Sequence, residues 1–115
     1  MVNIQRGGIF LVNLNPIKGK EQGKTRPCLI IQNDILNKYS PITIIAPLTS
    51  KIYSKEFSTN VMVSKENSGL DKDSTILLNQ IRAIDKSRVI KKLSILPSYV
   101  MEKVNSAIKV SLDLN

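Results

Sequence analysis

Short runs rich in β-branched and aromatic residues follow one another along most of the chain, and Pro, Gly or Asn residues bound them. Such runs are typical of β-strands. The predicted strands cover residues 8–14, 28–32, 42–46, 59–63 and 74–78, followed by residues 79–84, which alternate polar and apolar as a half-exposed strand does. So many short strands in one small chain predict a closed or nearly closed barrel.

The C-terminal segment has a different period. From Pro97 to about Leu112, apolar residues recur at the spacing of one helix face. This stripe consists of Met101, Val104, Ile108 and Leu112, with Val100 and Ala107 alongside. The segment is therefore a predicted amphipathic helix with Pro97 in its first turn. Tyr99 and Val110 lie off the stripe, either as single exposed apolar residues or as part of a subunit contact.

Composition changes this picture by suggesting a partner. The 115 residues are enough for one domain with one core, over residues 1–115. Lys and Arg number 17 against 9 Asp and Glu, which gives a net charge of +8 and a pI near 9.8. This charge favours a polyanionic partner, above all nucleic acid, although many small domains are basic for solubility alone.

The chain also excludes several kinds of chemistry. It contains no histidine, so imidazole acid–base catalysis, His-based triads and histidine metal ligation are absent. Its single cysteine, Cys28, lies within an apolar run and is predicted to be a buried small residue rather than a nucleophile. We expect a cytoplasmic protein without a membrane contact, because no apolar stretch reaches a membrane-spanning length and no signal-peptide core is present.

The segment from Pro16 to Pro27 is a basic loop that contains Gly19 and Gly23. Glycine permits positive φ, whereas Pro27 favours an extended conformation for Arg26. A planar guanidinium at the start of a strand suits a phosphate, although a surface salt bridge is the alternative role for such an arginine. Residues 51–58 are polar with weak periodicity and are predicted to form a loop. Loops on a rigid barrel are where a ligand would bind.

Set side by side, several segments resemble the MazF/PemK family in order and spacing over nearly the whole chain. They are Arg6-Gly7, Leu14-Asn-Pro16, Lys20-Glu-Gln-Gly-Lys-Thr-Arg-Pro27, Ile31-Gln-Asn-Asp34, Ala46-Pro-Leu-Thr-Ser50, Asp73-Ser-Thr-Ile-Leu-Leu-Asn-Gln-Ile-Arg82 and Asp85-Lys-Ser-Arg88. These proteins are toxin endoribonucleases of toxin–antitoxin modules. The glycine-rich loop alone is a weak signal, whereas the set of segments is specific.

The resemblance implies a mainly β fold with a C-terminal helix, an SH3-like barrel. It also implies a homodimer that cleaves single-stranded RNA at short sequences with no metal ion or other cofactor, and that a MazE-like antitoxin holds inactive. Cleavage in this family is thought to proceed by attack of the RNA 2′-hydroxyl, which leaves a 2′,3′-cyclic phosphate and a 5′-hydroxyl end. Such toxins inhibit translation and growth.

The family's catalytic arginine matches Arg26 and its catalytic threonine or serine matches Thr49. Its RNA-contacting positions match Lys20, Glu21 and Gln80. Three positions depart from the family pattern, and they affect the expected RNA sequence more than the chemistry. Lys20 replaces a common serine, Asn79 replaces a common glutamate, and Gly8 stands where an acidic residue is usual.

The residue that removes the 2′-hydroxyl proton stays open. Arginine is a poor general base because it keeps its proton far above neutral pH. Glu21 is chemically better suited, but an acidic residue in a basic loop more often sets loop geometry or accepts a hydrogen bond from a base.

Two other functions remain as alternatives: a catalytically silent nucleic-acid-binding barrel, and a gyrase poison like the related CcdB. The presence of both Arg26 and Thr49 argues against the silent barrel. The match over the basic loop and the Pro-Leu-Thr-Ser segment argues against the CcdB-like poison.

Overall fold

A computed structural model describes residues 3–16, 19–21, 23–53 and 58–114. Seven strands, three helices and two 3₁₀ turns form this part of the chain. In order they are β1 (Gly8–Asn13), β2 (Thr25–Ile30), α1 (Asp34–Tyr39), β3 (Ile42–Thr49), β4 (Asn60–Val63), α2 (Lys65–Ser68), β5 (Ser74–Leu77), a turn at Leu78–Gln80, β6 (Arg82–Asp85), a turn at Lys86–Arg88, β7 (Val89–Ile95) and α3 (Ser98–Ser111). The predicted mainly β fold with a C-terminal helix is confirmed.

The strands form an antiparallel sheet in the order β4-β5-β3-β2-β1-β7, and β6 pairs with β3. β3 is shared, because its first half pairs with β6 while Leu48 and Thr49 pair with β5. The sheet does not close: within the described ranges no pairing joins the outer strands β4 and β7. Of the predicted closed or nearly closed barrel, full closure is therefore wrong, since β4 and β7 do not pair within the described residues.

Both faces of the central strands are buried, which explains why their sequences are nearly continuous apolar runs. Ile9 and Leu29 belong to a cluster that contains the buried residues of α3, whereas Phe10 and Cys28 belong to a second cluster on the opposite face. Successive side chains of a strand point to opposite faces, so each strand contributes to both clusters.

The predicted C-terminal helix is confirmed as α3, with small corrections. Val100, Val104 and Ala107 are its buried residues, so the centre of the apolar face lies slightly away from the predicted stripe. Pro97 is the residue that precedes the helix rather than part of its first turn. Leu112 is the residue that follows α3 and is 56% exposed, so it does not belong to the buried face.

Two other predictions need correction. Residues 79–84 do not form one strand: Leu78–Gln80 make a 3₁₀ turn and β6 begins at Arg82. The edge strand β7 was not predicted from the sequence, because Ile90, Lys91 and Lys92 are all exposed and its period is weak. The predicted loop is confirmed for residues 51–53, which are neither helix nor strand, while residues 54–57 lie outside the described part.

No helix in the described part of the chain is long and apolar enough to span a membrane.

Candidate active site

The two residues predicted to act on a phosphate lie on neighbouring strands. Arg26 is in β2, and Thr49 is the last residue of β3. The pairs between these strands end at Cys28 and Pro47, so Arg26 and Thr49 each lie two residues beyond the last pair. Beyond the last pair, β3 continues against β5 instead. Arg26 and Thr49 both line one cavity of about 610 Å³, called here the Arg26 cavity.

The contacts of Arg26 and Thr49 leave hydrogen-bond donors available. Arg26 is half-buried, and its Nε donates to the carbonyl of Gly23 at 3.0 Å. This bond fixes the side chain, and no other hydrogen bond to the guanidinium is found within the described residues, so the terminal nitrogens remain donors. The Thr49 hydroxyl oxygen accepts from the backbone N–H of Lys51 at 3.2 Å, which leaves its own proton to donate.

The other wall of the Arg26 cavity comes from the connection between α2 and β5. Gly69, Leu70, Asp71 and Lys72 line it. Gly69 has a φ of +70°, and a Cβ there would lie 3.0 Å from the Cβ of Ser94. The position requires glycine because this turn packs closely on β7. Sequence reasoning did not assign these residues to the site, since nothing in their spacing indicates that the turn folds over β2.

The three residues predicted to contact RNA bases share a second cavity. Lys20, Glu21 and Gln80 line a space of about 440 Å³, called here the Gln80 cavity. Lys20 and Glu21 are exposed, whereas Gln80 is half-buried in the 3₁₀ turn between β5 and β6. Asn79 lines the same cavity. The turn that replaced part of a predicted strand is therefore what brings Asn79 and Gln80 next to the basic loop.

Two arginines that sequence analysis left without a role hold the end of β1. Arg82 Nη1 donates to the carbonyl of Leu14 at 3.1 Å. Arg88 Nη1 donates to the carbonyls of Asn13, at 3.2 Å, and of Asn15. The basic loop begins at this segment, so both arginines anchor it. Arg82 also lines the Gln80 cavity.

Cys28 lies on β2 close to both cavities but is not reactive. The residue is fully buried, and burial raises the pKa of its thiol to about 12, partly opposed by the charges of Arg26 and Arg82. A neutral thiol is a poor nucleophile, so the prediction of a buried small residue is confirmed. No group of three or more metal-ligating side chains occurs within the described residues.

Comparison with known proteins gives one consistent family. The model of the PemK-like, MazF-like toxins of type II toxin–antitoxin systems matches residues 5–112. Endoribonuclease MazF of Staphylococcus saprophyticus is 47% identical over 112 residues, which cover 97% of this chain and 93% of that protein.

Solved structures show the same fold. MazF from Deinococcus radiodurans superposes with a TM-score of 0.82 at 24% identity and covers 96% of this chain and 97% of its own. A mycobacterial endoribonuclease in complex with its cognate antitoxin has a TM-score of 0.81 at 20% identity, and the likeness covers 97% of each chain.

Proposed function

We propose that this chain, which belongs to the PemK-like, MazF-like toxin family of type II toxin–antitoxin systems, is an endoribonuclease that cuts single-stranded RNA at a short sequence without a metal ion. The resemblance seen in the sequence is confirmed, and the staphylococcal relative bears the name of that activity. By cutting messages, the toxin would inhibit translation and growth.

The main support for the proposal is that Arg26 and Thr49 line the same cavity. When a 2′-oxygen attacks the phosphorus, negative charge builds up on the equatorial phosphate oxygens. Donors that are already in place for those oxygens lower the barrier more than they stabilise the bound substrate. The guanidinium of Arg26, fixed through Nε, and the hydroxyl of Thr49 are such donors.

In the proposed reaction the 2′-oxygen forms a bond to phosphorus and loses its proton, while the bond from phosphorus to the 5′-oxygen breaks. The products are a 2′,3′-cyclic phosphate and a 5′-hydroxyl end, whose oxygen takes up a proton. Water is not a reactant in this step, because the 2′-oxygen is the nucleophile, and no metal is required. Glu21, the carboxylate that the sequence offered for the proton, lines the Gln80 cavity, whereas the carboxylate that lines the cavity of Arg26 and Thr49 is that of Asp71.

The Gln80 cavity is the proposed place where RNA bases are recognised. Unpaired bases expose their hydrogen-bonding edges, and the amide of Gln80 and the carboxylate of Glu21 together offer donors and acceptors. Lys20 adds a charge for the phosphate backbone. We expect the sequence preference to follow from this cavity, since Asn79 also lines it.

The proposal includes a homodimer in the cytoplasm and an antitoxin of the MazE type. Tyr99 and Val110 on α3 are 55% and 52% exposed, which supports their use in a subunit contact. The mycobacterial neighbour was solved with its cognate antitoxin, and a net charge of +8 favours an acidic binding segment. Light scattering of the purified toxin, alone and with the antitoxin, tests both assemblies.

The activity is tested on a long single-stranded RNA in the presence of EDTA, with both product ends mapped. Cuts at one short motif that end in a cyclic phosphate, and that disappear with Arg26→Ala, support the proposal. A substrate with a single 2′-deoxynucleotide at the cut position must resist cleavage, because it lacks the attacking oxygen. Cleavage of that substrate at the same bond would contradict the mechanism.

The same experiment separates the alternatives. Tight binding of intact RNA would indicate a silent nucleic-acid-binding protein. Intact RNA together with trapped topoisomerase–DNA complexes would indicate a gyrase poison.

A further inference from the structure

Lys24 lines the Arg26 cavity and has a backbone conformation that is unusual for a lysine. Its φ is 62°, in the left-handed region that is unfavourable for most side chains and easy for glycine. Asp113 also has a positive φ, of 56°, but it follows the end of α3, where a left-handed residue commonly closes a helix. Lys24 closes no helix, and two backbone hydrogen bonds hold its conformation instead.

The hydrogen bonds around Lys24 use only its backbone. Its N–H donates to Oδ1 of Asn15 at 2.9 Å, and its carbonyl accepts from the N–H of Leu14 at 2.8 Å. A glycine would make both bonds and would adopt the positive φ with less strain. These backbone hydrogen bonds therefore give no reason for a lysine rather than a glycine at this position.

The side chain itself faces solvent and the cavity. Lys24 is exposed and lines the same space as Arg26 and Thr49, and its ammonium makes no hydrogen bond or ion pair with any residue that the structure describes. Thr25 lies between the two cations in an extended strand, so their Cα atoms are about 6.5 Å apart. At that separation the two side chains can contact neighbouring phosphates of one strand.

We propose that Lys24 is a substrate-binding residue that holds the phosphate next to the one that is cut. The proposal rests on the proposed ribonuclease function and adds a contact to it. Lysine is a compact point charge, whereas arginine is a fork that matches a phosphate geometrically. A charge on a phosphate that does not react stabilises the bound RNA and the transition state alike, so it lowers KM and leaves kcat nearly unchanged.

The test compares Lys24→Gly, Lys24→Arg and a control, Lys103→Gln, which removes an exposed charge of α3 that lines neither cavity. The binding probe is a short single-stranded RNA with the mapped cut site and one 2′-deoxynucleotide at the cut, titrated at several salt concentrations. Lys24→Gly should lower the slope of log affinity against log salt by about 0.7. It should also weaken binding at low salt about two- to fivefold.

Cleavage and stability supply the other readouts. For Lys24→Gly we expect a raised KM, a kcat close to that of the wild type and an unfolding temperature at least as high as that of the wild type. Lys24→Arg, which keeps the charge, should keep the wild-type salt slope, and Lys103→Gln should match the wild type throughout.

Two results would overturn the proposal. One is an unchanged salt slope in Lys24→Gly. The other is an equal loss of affinity in Lys24→Gly and Lys24→Arg, because the backbone and not the charge would then matter. Failure of the wild-type protein to cut the all-ribose RNA would instead contradict the ribonuclease function, so the two proposals fail separately.

Discussion

The Arg26 cavity and the Gln80 cavity adjoin the same strand but are built from different kinds of structure. The Arg26 cavity takes its two proposed phosphate donors from β2 and from the end of β3. The Gln80 cavity takes its contacts from the basic loop and a 3₁₀ turn. Pro47 of β3 lines the Gln80 cavity, and the next two residues line the Arg26 cavity.

This difference supports the proposed separation of functions, with chemistry at the Arg26 cavity and base recognition at the Gln80 cavity. Strand residues are held by the sheet, so the donors for a developing charge keep their positions. Loops and turns vary more easily between relatives, so base recognition can change without loss of the chemistry. Two of the three departures from the family pattern, Lys20 and Asn79, line the Gln80 cavity, in agreement with this proposal. The third, Gly8, is buried in β1 and lines neither cavity, so the structure gives it no direct contact with a bound base.

The largest expected effect comes from Arg26→Ala. We expect kcat to fall by roughly two to three orders of magnitude, about 3 to 4 kcal/mol, because one donor to the transition state is lost. The cut position should not change, since the Gln80 cavity is intact. Single-turnover cleavage of a mapped RNA measures the rate, and Lys103→Gln is the control. A shifted cut motif would mean that the two cavities are not separate in function.

Gly8→Ala tests whether a change in the core affects both cavities alike. A Cβ at Gly8 would lie 2.5 Å from Cε1 of Phe10, which is fully buried. Overpacking of this kind should lower the free energy of unfolding by about 2 kcal/mol, as measured by urea denaturation. Phe10→Leu in the same chain should restore part of the loss. The cleavage rate and the cut motif should match those of the wild type under conditions in which the variant is folded, since Gly8 lines neither cavity.

Gln80→Ala tests the recognition cavity. We expect kcat/KM for the preferred RNA to fall about tenfold, because a hydrogen bond to a base is lost, while RNAs that differ at one position of the motif lose less. The measurement is competitive cleavage of a pool of such RNAs. An equal loss on every RNA of the pool would show that Gln80 contributes to the chemistry rather than to the choice of sequence.

The smallest effect concerns Cys28, on the strand that carries Arg26. Its pKa is raised from 9.0 to about 12, so the native state favours the neutral thiol. The contribution of this neutral thiol to the free energy of unfolding is fully present well below pH 9 and is lost as the pH rises from 9 towards 12. At pH 9.5 the wild type should have lost about 0.8 kcal/mol more stability than Cys28→Ala, relative to neutral pH. Parallel urea curves for the two proteins across this pH range would contradict the buried thiol.

Much of the fold could be predicted from the sequence because the local signals are strong. Five of the strands and α3 follow from apolar runs and helical spacing. The edge strand β7 and the helix α1 could not be predicted, because their exposed apolar residues, such as Ile90 and Ile35, obscure any period. The six-residue helix α1 is held by tertiary contacts, including the hydrogen bond from Arg6 N–H to Asp34 Oδ1 at 2.6 Å.

The sequence by itself determined the family, the mainly β class, the basic charge and the residue types at the site, since these are properties of order and composition. Only the tertiary structure decided that the sheet stays open, that Arg26 and Thr49 share one cavity while Lys20, Glu21 and Gln80 share another, and that the turn containing Asp71 covers the first. These features depend on the register between β2 and β3 and on the point where β3 changes partner. Such pairing joins residues far apart in the chain, so no local pattern encodes it.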